Sequence, residues 1–135
     1  MTVKPETRLW KTLKKYLSDG KYIVSRLESY ITPGFPDCLV FHGSVGFFTI
    51  ELKITNNNNR ITLSPFQKAW NLRHANAGAP VYILVGGLPK GHVKLFHGSQ
   101  TKELGQRAVD LVPGLYAGRL EDLDFRKLPN SSHNP

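Results

Sequence analysis

The sequence predicts a single α/β domain in which a mixed β-sheet is flanked by helices. Three observations predict this class: apolar residues at helical spacing near the start, short apolar runs separated by turn residues, and a helical segment between two of those runs. A chain of 135 residues, 40% of them hydrophobic, is long enough for one core and short for two domains. We expect one domain over residues 1–128 and a polar, flexible tail over 129–135.

The first element is predicted to be an amphipathic helix over residues 4–19. Pro5 suits the first helical turn, and Asp19-Gly20 ends the pattern. The apolar face comprises Leu9, Trp10, Leu13 and Leu17, opposite the basic residues Arg8, Lys11 and Lys15. Glu6 lies within the apolar stripe, which is an unusual position for a carboxylate.

Three strands and a crossover follow. The segments YIVSRLESY, DCLVF and FFTIELKI are rich in β-forming residues and separated by turns, which indicates three sequential antiparallel strands. The next segment, ITLSPFQKAWNLRHANAG, carries helix signals: a capping box of Ser64 and Gln67, Pro65 at the first position and Gly78 at the end. The run VYILV is predicted to be a buried strand. Because a helix connects it to FFTIELKI, these two strands should be parallel.

The last third of the chain gives weaker signals. LPKG and HVKLF predict a hairpin partner for VYILV, and TKELGQRAVDLV predicts a further helix before Pro113-Gly114.

Charge and cysteine content limit the classes of partner and compartment. The net charge of +8 favours a polyanionic partner, although a basic protein without such a partner is an equal alternative. We expect no membrane span and no export signal, because neither a run of roughly 20 apolar residues nor an apolar signal core is present. The single cysteine, Cys38, fits a reduced core thiol in a cytoplasmic setting, and the five scattered histidines do not suggest a zinc site.

The residues that indicate chemistry lie on two neighbouring strands. In FFTIELKI, Glu51 and Lys53 share the polar face, and Asp37 begins the preceding strand directly after a turn. Two carboxylates at one point repel each other unless a cation lies between them, which favours Mg²⁺ or Mn²⁺. The alternatives are a turn aspartate for Asp37 and an ordinary half-exposed strand for the Glu51–Lys53 pair.

Four segments carry a resemblance to a known family. GFPD at 34–37, ELK at 51–53, LSPFQKAW at 63–70 and GAPVYILV at 78–85 resemble the PD-(D/E)XK nuclease superfamily, and more closely its VRR-NUC and Holliday-junction-resolvase-like branch. The resemblance spans residues 4–86. It implies a restriction-endonuclease-like αβββαβ core and a divalent-metal-dependent phosphodiesterase.

The resemblance also implies roles for individual residues. Asp37 and Glu51 would be metal ligands and Lys53 the catalytic lysine. Glu6 would be a further acid on the first helix, although the helix dipole equally explains a first-turn glutamate. Glu28, at the end of the first strand, is a competing third acid, with a solvated strand-end charge as the preferred alternative.

A second group of candidates lies mainly on the helix that follows FFTIELKI. Gln67 would hold a metal-bound water or touch the scissile phosphate, or it would only close the capping box, and these two roles are compatible. For Phe66 and Trp70 a core position is favoured over a base-stacking platform. Four basic residues are candidate phosphate contacts: Arg26, Arg60, Lys68 and Arg73.

These observations together predict a Mg²⁺-dependent endonuclease that hydrolyses DNA phosphodiesters, with Mn²⁺ able to substitute. Branched or junction DNA is the favoured substrate by resemblance, and a two-fold junction would suit a homodimer. The alternatives are a sequence-specific endonuclease of restriction or homing type and a non-catalytic nucleic-acid-binding module. Compact versions of this domain resemble phage-encoded nucleases, so the expected location is the cytoplasm of a bacterial or phage-infected host cell.

Overall fold

A computed structural model describes residues 4–27 and 33–128. The helices are α1 (Pro5–Asp19), α2 (Pro65–Asn76) and α3 (Thr101–Gln106). The strands are β1 (Ile23–Arg26), β2 (Cys38–His42), β3 (Gly46–Ile54), β4 (Val81–Gly86), β5 (Val93–His97) and β6 (Tyr116–Gly118). The predicted tail at 129–135 and the candidate acid Glu28 lie outside the described residues.

The six strands form one mixed sheet in the order β1-β2-β3-β4-β5-β6. Only the β3–β4 pair is parallel within this sheet, and α2 makes the crossover between its two strands. The other pairs are antiparallel. The predicted helix–three strands–helix–strand order and the parallel crossover are therefore confirmed, as is the hairpin that joins VYILV to HVKLF.

Each face of the sheet carries its own apolar core. On one face Leu13 and Leu17 of α1 pack with Ile50 and Leu52 of β3. On the other face Ile83, Val85 and Phe96 pack with Leu104 and Val109. Alternate residues of a strand point to opposite faces, so the same β3 that buries Ile50 and Leu52 against α1 turns Glu51 and Lys53 toward α2.

The C-terminal part differs from the prediction in two places. The helix predicted over TKELGQRAVDLV ends at Gln106, because Arg107 adopts an extended backbone with φ −134° and ψ 157°. Val109 instead donates its N–H to the carbonyl of Asn59, and the carbonyl of Val109 accepts from Lys94 Nζ, which draws this segment onto the sheet. The prediction missed β6, whose three residues are too few to show an alternating pattern.

No helix within residues 4–27 and 33–128 is long and apolar enough to cross a membrane.

Candidate active site

Asp37 and Glu51 meet at the point where β2 begins beside β3. The antiparallel register pairs Cys38 with Ile50, so Asp37, which precedes Cys38, lies opposite Glu51, which follows Ile50. The Asp37 carboxylate is fixed by the backbone N–H of Leu52, which donates to Oδ2 at 2.7 Å. Its carboxyl group lies within hydrogen-bonding reach of the Glu51 carboxyl group. The sequence-predicted pair therefore converges.

Glu51 is a buried acid in an unfavourable environment for negative charge. Its side chain is 1% exposed, and burial, the hydrogen bond with Asp37 and the Asp37 charge together raise its pKa to about 9. Lys53 opposes this rise in the pKa, but it does not outweigh desolvation. Glu51 Oε1 is buried without a hydrogen-bond partner among the described residues. In the absence of a cation, this environment favours the protonated form of Glu51.

The side-chain amide of Gln67 connects the acid to the lysine. Gln67 Oε1 accepts a hydrogen bond from Lys53 Nζ at 2.9 Å, and Gln67 Nε2 donates to Glu51 Oε2 at 3.3 Å. This amide holds the ammonium group beside the buried carboxyl group while leaving Glu51 Oε1 unengaged.

The same glutamine caps α2. Gln67 N–H donates to Ser64 Oγ at 3.1 Å, and Gln67 Oε1 accepts from the Ser64 N–H at 2.9 Å, which completes the predicted capping box. The predicted capping role of Gln67 is therefore confirmed, whereas its predicted contact with a metal-bound water or the scissile phosphate stays a prediction. Formation of the helix N-terminus and positioning of Lys53 thus depend on one side chain.

Glu6, the predicted third acid, has no direct contact with Asp37 or Glu51 among the hydrogen bonds of the described residues. Glu6 is exposed in the first turn of α1, and its negative charge contributes to the raised pKa of Glu51, after burial and Asp37. Within the described ranges, no group of three or more histidine, cysteine, aspartate or glutamate side chains is positioned to hold a metal ion. A third protein ligand from Glu6 thus stays a prediction.

The donor set fits a hard divalent cation. Mg²⁺ prefers oxygen ligands, keeps several waters and commonly binds proteins through one or two carboxylates. Asp37 and Glu51 supply two such groups, and the unpartnered, buried Glu51 Oε1 is an acceptor that a cation would satisfy. Softer metals prefer thiolate ligands. The one cysteine of the chain, Cys38, is buried, and burial raises the pKa of its thiol to about 12, which disfavours a thiolate at this point.

The four predicted phosphate contacts are dispersed. The Arg26 guanidinium lies over the ring of Trp10, 5.0 Å from its centroid, and Arg60 donates to the Gln106 carbonyl at 3.0 Å. Both therefore have structural partners. Lys68 is exposed in the first turn of α2 directly after Gln67, whereas Arg73 is exposed in the last turn. Arg26 pairs with Cys38, the residue next to Asp37, in the antiparallel register of β1 and β2, and Lys68 directly follows Gln67.

The aromatic residues of α2 depart from the prediction. Phe66 is 61% exposed, so its predicted core position is wrong. Trp70 is half-buried: it packs edge-on against Phe35 and stacks on His74, with ring centroids 5.9 Å and 3.8 Å away. Helical spacing placed Phe66 and Trp70 on one face, but it could not reveal that the first turn of α2 extends beyond the edge of the core.

Comparison with known proteins identifies solved structures with a similar fold. No family model matches the sequence, and no curated protein matches it. Among solved structures, a VRR_NUC domain matches with a TM-score of 0.53 and 24% identity, over 78% of this chain and 98% of that domain. Hjc, a Holliday junction resolvase from the archaeal hyperthermophile Archaeoglobus fulgidus, matches with a TM-score of 0.54 and 22% identity, over 70% of this chain and 78% of the resolvase.

The chain shares the fold of these two proteins. The predicted restriction-endonuclease-like α/β class is therefore confirmed, and so is the likeness to the VRR-NUC and junction-resolvase branch at the level of structure.

Two contacts that shape the site could not be predicted from the sequence. The Leu52 N–H that fixes Asp37 is a backbone group, and no residue-type pattern identifies it. Gly34 brings its loop against the first turn of α2: a Cβ at this position would lie 2.4 Å from the Phe66 carbonyl oxygen, and its φ is +90°. The glycine in GFPD indicated a turn, but the sequence did not indicate that this turn would pack against Phe66 of α2.

Proposed function

We propose that this protein is a metal-dependent nuclease that hydrolyses phosphodiester bonds. The observation that carries the proposal is the convergence of Asp37 and Glu51, with the Lys53 ammonium group held beside them by Gln67. The shared fold with a VRR_NUC domain and a Holliday junction resolvase supports the same reading.

Asp37 and Glu51 are the residues that would hold Mg²⁺, with Mn²⁺ as a substitute. When bound there, the cation supplies a Lewis acid for a phosphate oxygen and lowers the pKa of water. The chain's own contribution is to keep the two carboxylate groups fixed. The Leu52 N–H orients Asp37 and the Gln67 amide orients Glu51, so neither ligand has to reorganise when the substrate arrives.

Lys53 is the cationic member of the site. Its Nζ carries three donors, of which one is used by Gln67 Oε1 at 2.9 Å. The remaining donors can face a phosphate oxygen or an attacking water, and the positive charge stabilises negative charge that develops on the phosphate. Gln67 acts as a positioning residue, since it fixes the direction of the Lys53 ammonium group.

The substrate we favour is DNA, cut internally and preferentially at branched or junction structures by a homodimer. The net charge of +8 supports a polyanionic substrate. One neighbour's description as a Holliday junction resolvase supports the branched structure. A single compact domain has little surface for reading sequence, which favours recognition of shape.

A cleavage panel tests the proposal. Labelled four-way junction, flap, linear duplex, single-stranded DNA and RNA are incubated with wild type in Mg²⁺ and in EDTA. Wild type should cut DNA internally in Mg²⁺ and not in EDTA, with the branched structures, junction and flap, cut faster than linear duplex. Discrete fragments from long duplex DNA would instead indicate a sequence-specific enzyme, and binding without any cleavage would refute turnover.

Variants assign the cleavage to this site. Asp37→Asn and Lys53→Met should each lower the rate at least roughly a hundredfold. Asp122→Asn and Lys102→Met make the same chemical changes at exposed positions elsewhere and should cut like wild type. Equal rates for Asp37→Asn and Asp122→Asn would show that another site, or a contaminating nuclease, is responsible.

A further inference from the structure

Two exposed phenylalanines lie next in sequence to residues of the proposed site. Phe66 is 61% exposed and directly precedes Gln67, while Phe35 is 45% exposed and lies two residues before Asp37. A single exposed aromatic residue is common on protein surfaces and carries no argument. What distinguishes these two is that each is joined by one or two peptide units to a side chain of the proposed site.

The two phenylalanines are held in a fixed relation. The loop that carries Phe35 packs against the first turn of α2 at Gly34, so closely that a Cβ there would meet the Phe66 carbonyl oxygen at 2.4 Å. The Phe35 ring is supported edge-on by Trp70, whose own ring stacks on His74 at 3.8 Å. The backbones that carry Phe35 and Phe66 are therefore fixed relative to each other, and the Phe35 ring is supported on one side, which limits the conformational entropy lost when something binds there.

The chemistry of a ligand for this surface follows from its neighbours. A phosphodiester at Asp37, Glu51 and Lys53 would bring its flanking nucleotides within reach of residues adjacent to Asp37 and Gln67. Aromatic rings bind nucleobases by stacking, regardless of base identity. Inside a duplex both faces of each base are already covered by neighbouring bases, so only an unpaired or displaced base has a free face. The exposed Lys68 beside Gln67 favours a polyanionic strand over a second copy of this basic chain.

We infer that Phe66 and Phe35 form a stacking platform for an unpaired base next to the scissile phosphate. This inference rests on the proposed function and narrows its substrate: the preferred DNA has at least one unpaired nucleotide beside the bond that is cut. A fully paired, blunt duplex would lack the group that the platform binds.

Binding measurements in an Asp37→Asn background, in which cleavage is blocked, test the inference. The probes are a 12-nucleotide single strand with 2-aminopurine, a duplex with a single-stranded flap, and a blunt duplex. Phe66→Leu keeps an apolar side chain and removes the ring, and Phe66→Trp keeps a ring. Leu72→Ala, at a 39% exposed apolar position on the same helix, is the matched control.

Phe66→Leu should weaken binding of the single strand and the flap by roughly fivefold or more and abolish 2-aminopurine quenching. Phe66→Trp should restore both, and binding of the blunt duplex should not change in any variant. Phe35→Leu should act in the same direction. Unchanged binding in Phe66→Leu, or an equal loss for the blunt duplex and the flap, would overturn the platform.

Two further results separate this inference from the proposed function. If wild type is a dimer by sedimentation and Phe66→Leu is a monomer, the surface is a subunit interface and the platform is refuted. If the stacking results hold but wild type cleaves nothing in Mg²⁺, the nuclease proposal fails while the binding surface stands. If wild type cleaves paired and unpaired substrates equally and Phe66→Leu has no effect, the platform alone fails.

Discussion

Gln67 Oε1 accepts a hydrogen bond from Lys53 Nζ at 2.9 Å and another from the backbone N–H of Ser64 at the same distance. One atom therefore joins the N-terminal cap of α2 to the candidate active site. The order of the sequence explains the coincidence: β3 carries Lys53, and α2 is the next regular element along the chain. The crossover that returns the chain to β4 thus also delivers the residue that positions the lysine.

The dual role of Gln67 predicts a double loss on substitution. Gln67→Ala should cost about 1 kcal/mol of unfolding free energy, because half of the capping box is removed. It should also lower the cleavage rate roughly tenfold or more, because the Lys53 ammonium group loses its acceptor. Urea denaturation and single-turnover cleavage measure the two effects.

Ser64→Ala is the matched control for Gln67→Ala. It removes the Ser64 Oγ that accepts from the Gln67 N–H, and it leaves the Gln67 side chain bound to Lys53. We expect a similar loss of stability with a near-normal cleavage rate. If Ser64→Ala and Gln67→Ala lose activity in proportion to stability, Gln67 acts through the helix cap alone.

The buried acid predicts a stability that depends on pH in the metal-free protein. The pKa of Glu51 is raised to about 9 in the folded state, above the value near 4.5 expected when unfolded, so the folded state binds the proton more tightly. The contribution of this proton to the free energy of unfolding is fully present below about pH 4.5. The corresponding stability is lost as the pH rises from there toward 9.

Glu51→Gln isolates this contribution, because an amide keeps the shape and carries no charge. In EDTA at pH 8 the variant should melt above wild type by about 3 °C or more, and the difference should shrink toward pH 5. Comparing the two proteins at each pH cancels other titrating groups, including His97, whose pKa burial lowers. A difference that is constant across this range would contradict the raised pKa of Glu51.

The close approach of the Asp37 loop to α2 predicts a costly glycine substitution. Gly34→Ala should destabilise the protein by about 2 kcal/mol, since φ is +90° and the added Cβ would collide with the Phe66 carbonyl oxygen. Cleavage should also fall, because the loop that sets Asp37 would shift. Thermal unfolding and single-turnover cleavage are the measurements.

Gly46→Ala separates backbone strain from collision. Gly46 also has a positive φ, +79°, but a Cβ there would meet nothing within 4 Å. We expect a smaller loss of about 1 kcal/mol and unchanged cleavage. Equal losses for Gly34→Ala and Gly46→Ala would show that the contact with Phe66 does not constrain the loop.

The sequence was sufficient for features set by local patterns. The capping box of α2 and the alternation that places Glu51 and Lys53 on one face depend on residues a few positions apart, and the parallel crossover follows from a helix between two apolar strands. It was insufficient where two distant segments decide the outcome. The exposure of Phe66, the end of α3 at Gln106 and the Leu52 N–H to Asp37 contact depend on how loops settle on neighbouring elements, which periodicity does not encode.

Spacing alone left two interpretations of Asp37 and Glu51 open: a metal-binding pair, or a turn aspartate beside an ordinary strand-face charge. The resemblance favoured the first. The geometry supports the metal-binding interpretation, because the two carboxyl groups lie close together, Glu51 is 1% exposed, and Gln67 donates a hydrogen bond to it. Glu6 remains a predicted ligand, since the described residues do not place it in a three-ligand group.

Binding of a divalent cation by the acid pair is the central claim, and a Mn²⁺ titration followed by electron paramagnetic resonance tests it most directly. Wild type should bind Mn²⁺, Mg²⁺ should compete for the same site, and Asp37→Asn and Glu51→Gln should each weaken binding at least tenfold, while Asp122→Asn binds like wild type. Equal Mn²⁺ affinity in wild type, Asp37→Asn and Glu51→Gln would contradict the account.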